Sequence, residues 1–258
     1  RKSSARRKGC ISFYMAKIII VGGSLGGLFA ANILLRQGHD VTLLEKTTGS
    51  LDGRGAGIVT HDALADALRQ AGVTVDDTLG VSVTERITLG EDGQSLGMMK
   101  LPQILTSWSR LYFMLKERFP VERYLQGKTV KSVSQISDQV EVVCEDGSCH
   151  FAELLIASDG IRSSVRAQVA PQIKPEYAGY IAWRGVCDEA CLSKNTLDTL
   201  FNRFGFCLPK GEQMLGYPVA GSGNDTRPGK RRYNFVWYRP ASENEELVSL
   251  LTDDDGRY

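Results

Sequence analysis

The residues best able to do chemistry cluster early in the chain, in Val21-Gly-Gly-Ser-Leu-Gly-Gly-Leu28 with Glu45 beyond it. The apolar, mostly β-branched run from Ile18 to Val21 predicts a buried parallel strand. A helical period follows from about Leu25 to Gln37, Gly38 stands where a helix C′ glycine belongs, and Asp40-Val-Thr-Leu-Leu-Glu45 predicts a second strand. In such a β-α-β unit the unpaired N–H groups and the positive dipole end of the helix converge on the glycine turn. That is a place for a pyrophosphate, with no basic side chain required. Glu45, at the tip of the second strand, is placed to accept hydrogen bonds from a ribose diol. The spaced glycine pattern falls on Gly22, Ser24 and Gly27; Ser24, at its middle position, is small and offers a hydroxyl to a phosphate oxygen. A tight turn with glycines chosen only for packing is the alternative, and it leaves the strand, helix and Glu45 unexplained together. The unit reads as a dinucleotide site.

The elements that position it belong to a chain of 258 residues with 42% hydrophobic content, suited to one large globular domain or two smaller ones. No apolar run approaches the roughly 18 residues of a membrane span. Five of the 31 basic residues (Arg1, Lys2, Arg6, Arg7, Lys8) fall at the start, so the rest of the chain, which carries all 30 acidic residues, is mildly acidic. That balance argues against nucleic acid as a partner. The basic stretch has three readings: a targeting segment, a nucleic-acid patch, or sequence upstream of a start at Met15, the last being favoured. Six scattered cysteines form no C-x-x-C pair, and Cys187 and Cys191 have no nearby histidine to complete a zinc site. Reduced thiols in a cytoplasmic protein, with no metal site, are expected.

After Glu45 the glycine-rich connection Lys46 to Gly57 is long for an αβ loop, and Arg54 is the basic side chain within it beyond Lys46. A helix is predicted over His61–Gln70, and strands near Val81–Leu89 and Leu96–Leu101. Ser107–Phe119 again has helical period, with Trp108, Leu111, Tyr112 and Leu115 on one face, Arg110 beside it and Pro120 to stop it. Strands are predicted near Thr129–Gln135 and Gln139–Glu145, then over Leu154–Ala157, which delivers Asp159-Gly160 at its C-terminal end, where ligands gather in open α/β sheets. Segments near Tyr180–Val186, Thr199–Phe206, Gln213–Val219 and Arg232–Tyr238 predict an antiparallel sheet in a second domain.

In this order the motifs resemble those of group A flavoprotein monooxygenases, the p-hydroxybenzoate hydroxylase-like family, and within it the 2,6-dihydroxypyridine 3-monooxygenase type. Three segments carry the resemblance: the glycine turn with Glu45, Asp159-Gly-Ile-Arg-Ser-Ser-Val-Arg166, and Tyr177-Ala-Gly-Tyr-Ile-Ala-Trp-Arg-Gly185. The second matches the family's D-G-x-x-S-x-V-R and is the most specific. The resemblance implies a Rossmann-like FAD-binding domain with a parallel sheet plus a second, largely antiparallel β substrate domain. It implies FAD in the glycine site: Gly22, Ser24 and Gly27, with Gly23 and Leu25, at the pyrophosphate, and Glu45 with Lys46 at the adenosine ribose. Arg110, Asp159 and, in the Gly-Arg-Gly-Ala-Gly-Ile segment, Arg54 would be further FAD contacts. The implied division is a basic tail over 1–14 without fixed structure, a discontinuous FAD-binding domain over 15–80 and 101–175, and a substrate domain over 81–100 and 176–258. The family's later G-D segment has no counterpart before Asp253–Tyr258, so the chain reads as partial.

The activity the resemblance implies is hydroxylation of a small aromatic or N-heteroaromatic ring with NADH or NADPH and O2, through a flavin C4a-hydroperoxide. The cofactor carries that chemistry, so the lack of an evident catalytic triad or metal cluster agrees with it, and no catalytic side chain is nominated. Tyr180, Trp183, Arg184, Phe204, Phe206 and Tyr217 are candidates for the substrate face. No nucleic acid or membrane is expected as partner, and a homodimer is left open. The rivals are a halogenase, epoxidase or isoprenoid reductase on the same fold, an NAD-dependent dehydrogenase, and a flavin-binding remnant without catalysis. A halogenase would show a W-x-W-x-I-P type motif, and a dehydrogenase a catalytic His or Tyr-Lys pair rather than Asp159-Gly160; His39, His61 and His150 sit in no such arrangement.

Overall fold

The computed structural model describes residues 14–51 and 57–257. The tail expected over 1–14 lies outside them except for Tyr14, whose hydroxyl donates to the Glu153 carboxylate. Strands β1 (Lys17–Val21) and β2 (Asp40–Glu45) flank helix α1 (Leu25–Arg36). Next come β3 (Gly57–Val59), α2 (Asp62–Gln70), β4 (Val81–Leu89), β5 (Ser95–Ser107) and α3 (Trp108–Lys116). Strands β6 (Tyr124–Gln126), β7 (Val130–Ile136), β8 (Gln139–Cys144), β9 (Cys149–Ala152) and β10 (Leu154–Ala157) precede α4 (Ser164–Val169) and β11 (Tyr180–Asp188). Helix α5 (Lys194–Leu200), β12 (Arg203–Cys207), β13 (Gln213–Val219), β14 (Arg232–Pro240) and α6 (Leu247–Leu251) complete the order.

The chain divides into two compact units, one running to Thr48 and resuming over Phe119–Val169, the other comprising Gly49–Arg118 and Ala170–Tyr258. In the first, a parallel sheet of order β10-β1-β2-β6 is sandwiched by α1 and by the antiparallel sheet β7-β8-β9. Alternation along β1 explains the three layers. Ile20 faces Gly27 of α1, while Ile19 and Val21 pack with Leu44, Val130, Val142 and Ala152 towards the antiparallel sheet. A strand with both faces covered has no polar side, which is why Ile18–Val21 is unbroken and apolar. Gly38, at φ +92°, closes α1, its N–H bonding to the Leu35 carbonyl and that of His39 to Leu34.

The second unit is a seven-stranded sheet of order β11-β14-β13-β12-β4-β5-β3, antiparallel except for the parallel β12–β4 pair. It curls until its far edge meets its middle: a Cβ on Gly57 of β3 would lie 2.4 Å from the Tyr217 ring, and the Gly57 N–H donates to Asn234 Oδ1 at 3.1 Å. The curl encloses Val83, Leu105, Phe204, Tyr217 and Val219. One expectation changes here. The segment near Thr199–Phe206 is strand only from Arg203, because Ser193 caps α5 through the Thr196 N–H and the helix runs to Leu200. Residues 49–80 and 101–118 group with the large sheet, since β5 continues to Ser107 and pairs with both β4 and β3.

Glu189, after β11, is buried, and its carboxylate accepts N–H groups from Gly229 and from the Arg231 backbone and guanidinium. Glu189→Gln is expected to destabilise this unit by about 2–4 kcal/mol, read by urea unfolding with fluorescence from Trp108, Trp183 and Trp237, which all belong to it. The Arg231 hydrogen bonds hold the carboxyl below its ordinary value of 4.5. Its contribution is therefore complete above that value and lost as the pH falls through the depressed folded one, so the two proteins should converge in acid.

Candidate functional site

The glycine turn is built on backbone contacts that a side chain would prevent. Gly22 has φ +105°, its N–H donates to the Leu44 carbonyl at 2.8 Å, and a Cβ there would lie 2.3 Å from the Ser158 carbonyl oxygen and 2.9 Å from the Asp159 nitrogen. A Cβ on Gly23 would meet the Tyr124 hydroxyl at 2.3 Å, and one on Gly27 would meet the Gly22 carbonyl oxygen at 1.8 Å. Ser24 is the N-cap of α1 in extended conformation and makes no side-chain capping bond, and the first helical bond is from Leu28 N–H to its carbonyl. The N–H groups of Leu25, Gly26 and Gly27 precede any intrahelical acceptor, so they point outward at the positive end of the dipole. A bare backbone cradle of this kind fits a pyrophosphate.

Glu45 is buried and already at work. Its Oε2 accepts the Gly23 N–H and its Oε1 the Thr47 N–H, both at 2.8 Å. The residue expected at a ribose therefore also braces the turn, and each oxygen keeps lone-pair capacity for a hydroxyl. Lys46 is exposed next to it. Tyr124, at the head of β6, donates its hydroxyl to the Gly23 carbonyl at 2.9 Å and completes the support from below. The sequence gives no hint of that role, because Tyr124 reaches the turn only through the short parallel pairing of β6 with β2.

The Asp159 motif meets the same turn. Strand β10 lies beside β1, and the Ser158 N–H donates to the Val21 carbonyl, which sets Gly22 directly on Ser158 and Asp159. The Asp159 carboxylate is turned to its own loop: Ser163 Oγ donates to Oδ1 at 2.6 Å, and the Val165 N–H to Oδ2 at 3.3 Å. Ser163 in turn accepts the Arg166 N–H, and Val165 is buried in the core. The motif thus fastens the start of α4 under the turn.

Arg110 belongs to the other unit. Its Nε donates to the Thr78 carbonyl at 3.1 Å and its Nη2 to Thr78 Oγ1 at 3.0 Å, and it lines a cavity of about 540 Å³ with Ser107, Gly57, Asn224 and Arg232. Arg54 lies outside the described residues. The aromatic candidates split. Phe204, Phe206 and Tyr217 form one cluster, with centroids 4.4 and 5.1 Å from Phe204. Tyr180 and Arg184 alternate onto the same side of the sheet as Leu215 and Tyr217, whereas Trp183 points to the opposite side. Burial pushes the Tyr217 hydroxyl up to about 12, with the neighbouring Tyr238 adding to the shift, so it keeps its proton and is no general base at neutral pH. Among the described residues no group of His, Cys, Asp and Glu could hold a metal ion, and no helix is long and apolar enough to cross a membrane.

The family described as FAD binding domain matches residues 15–201, and one described as FAD binding domain-like matches 177–258. The chain is 33% identical over 240 residues to 2,6-dihydroxypyridine 3-monooxygenase of Paenarthrobacter nicotinovorans, an alignment covering 93% of this chain and 59% of that protein. The structure of 2,6-dihydroxypyridine-3-hydroxylase from Arthrobacter nicotinovorans superposes with a TM-score of 0.84 at 32% identity, covering 95% of this chain and 62% of that one. Against 3-hydroxybenzoate 6-hydroxylase 1 of Aquipseudomonas alcaligenes the identity is 28% over 254 residues, covering 92% of this chain and 61% of the relative. The chain thus spans about three fifths of the length of these relatives.

The contacts at the turn rank its glycines. Gly27→Ala drives a methyl into the Gly22 carbonyl and is expected to cost about 3 kcal/mol or more. Gly38→Ala, with nothing within 4 Å of the new atom, is expected to cost about 1 kcal/mol of backbone strain. Denaturant unfolding followed by far-ultraviolet circular dichroism measures both.

Proposed function

We infer the function from one premise: this chain belongs to the FAD-binding domain family. On it we propose that the chain holds FAD and serves the NAD(P)H- and O2-dependent hydroxylation of a small aromatic or N-heteroaromatic ring. The single observation that carries the reading is the side-chain-free cradle at the start of α1, seated on Asp159 and braced by buried Glu45. Gly22, Gly23, Ser24, Leu25 and Gly27 would hold the pyrophosphate. Glu45 would accept the adenosine ribose hydroxyls with Lys46 beside it, and Asp159 would bound the site through its backbone. Arg110, held by Thr78, is a further FAD contact on the ground of the resemblance alone.

Bound FAD supplies the redox chemistry, accepting electrons from NAD(P)H and activating O2. The protein's part is to bind, orient and keep water out. The clustered rings of Phe204, Phe206 and Tyr217 offer an apolar wall, and a protonated Tyr217 leaves that wall uncharged. Similarity to a dihydroxypyridine hydroxylase and to a hydroxybenzoate hydroxylase supports an electron-rich, hydroxylated ring as the substrate class. The described cysteines Cys144, Cys149, Cys187, Cys191 and Cys207 are all free thiols, which supports a cytoplasmic location.

The purified chain is expected to show the visible bands of an oxidised flavin and to release FAD on denaturation. Dihydroxypyridines or hydroxybenzoates should then accelerate NADH or NADPH oxidation and yield a hydroxylated product. Oxidation that forms only hydrogen peroxide with every ring tried would overturn the hydroxylase and spare the flavin. A chain that neither carries nor takes up FAD would overturn both.

A further inference from the structure

Arg86 is a half-buried cation with no counter-ion among the described residues. It lies on β4 directly opposite Phe204 in the parallel β4–β12 pair, and its guanidinium carbon sits 5.3 Å from the Phe204 ring centroid and 5.8 Å from that of Phe206. Gln103 fixes the plane of the guanidinium, its Oε1 accepting Nε at 3.2 Å and Nη2 at 3.0 Å. Among the described residues no carboxylate pairs with Arg86. The adjacent Glu85 is committed to Arg203 at 3.1 Å. The guanidinium has five N–H donors, so three remain, at Nη1 and on one position of Nη2, without an acceptor among the described residues. A cation taken partly out of water is normally matched by an anion.

The surroundings narrow what that anion is. Phe204 touches Tyr217 edge-on at 5.1 Å, so Arg86 lies at the end of a short row of two rings on adjacent strands. A rigid planar fork beside an aromatic row suits a flat ligand bearing planar oxygens, which Arg meets with two parallel N–H···O bonds. We propose that Arg86 is the recognition residue for a ring carboxylate on the aromatic substrate, with Gln103 as its positioning residue. This deepens the proposed function and rests on it. A phosphate of the dinucleotide offers the same oxygen chemistry, so the test separates the two sources.

The test is calorimetric titration of the FAD-loaded protein with 6-hydroxynicotinate and with its neutral amide, 6-hydroxynicotinamide. The acid should bind on the order of tenfold tighter than the amide, the scale of a hydrogen bond to a charged group. Arg86→Met should bring acid affinity down to that of the amide while leaving amide affinity and FAD content unchanged. Arg86→Lys should keep part of the preference, and Gln103→Leu should weaken it with the charge still present. If Arg86→Met does not fold, the lysine and Gln103 variants carry the test alone. Equal binding of acid and amide by the unaltered protein, binding of neither, or an acid preference that survives in these variants overturns the proposal. Loss of FAD from Arg86→Met instead assigns the residue to a cofactor phosphate and also overturns it. A preparation that never takes up FAD overturns the proposed function itself, so the two failures are told apart by the flavin content.

Discussion

Helix α1 can begin where it does only because the backbone of Gly27 passes against the Gly22 carbonyl, a contact that leaves no room for a methyl group. Three consequences follow from that one approach. The first turn of the helix lies directly over the end of β1, so its unpaired N–H groups converge on one spot. Gly22, bent to φ +105°, rests on Ser158 and Asp159, which ties the glycine turn to the Asp159 motif through the backbone. Gly23 comes within reach of Glu45 on one side and Tyr124 on the other. The turn is thus held in place by the protein's own backbone and side chains.

A second constraint governs the other unit. The seven-stranded sheet curls far enough for Gly57, on its last strand, to lean on Tyr217 and to give its N–H to buried Asn234. Closing a sheet this way buries one face against itself, which is why Phe204, Tyr217 and Val219 form a core without a covering helix of their own. The ends of the curl stay polar, with Ser107, Arg110 and Arg232 at a cavity and Arg86 with Gln103 along the aromatic row.

Local chemistry was legible in the sequence, and non-local chemistry was not. The glycine turn, the strand Asp40–Glu45, the helix after Ser107 and the strand Gln213–Val219 each depend on periodicity or turn residues within a few positions. Glu45 and Asp159 stood out in the sequence as cofactor candidates, and both carboxylates hold backbone or hydroxyl groups of the protein itself. That bracing follows from tertiary contacts that spacing does not encode. Tyr124 and Arg86 were invisible for the same reason, since each acquires its neighbours by parallel pairing with a strand distant in sequence. The strand expected from Thr199 failed because a Ser193 cap makes a helix as far as Leu200 out of residues that alternate passably. The grouping of residues 49–80 with the large sheet likewise comes from pairing of β3 with β5, a contact between distant segments.

The central claim is that the bare start of α1 is where the cofactor's pyrophosphate is held. Amide NMR of the chain titrated with FAD tests it most directly, because it reads the N–H groups themselves. The amide signals of Leu25, Gly26 and Gly27 are expected to shift together and to saturate with the same affinity as flavin binding. FAD that binds while those three amides stay unmoved would contradict the claim.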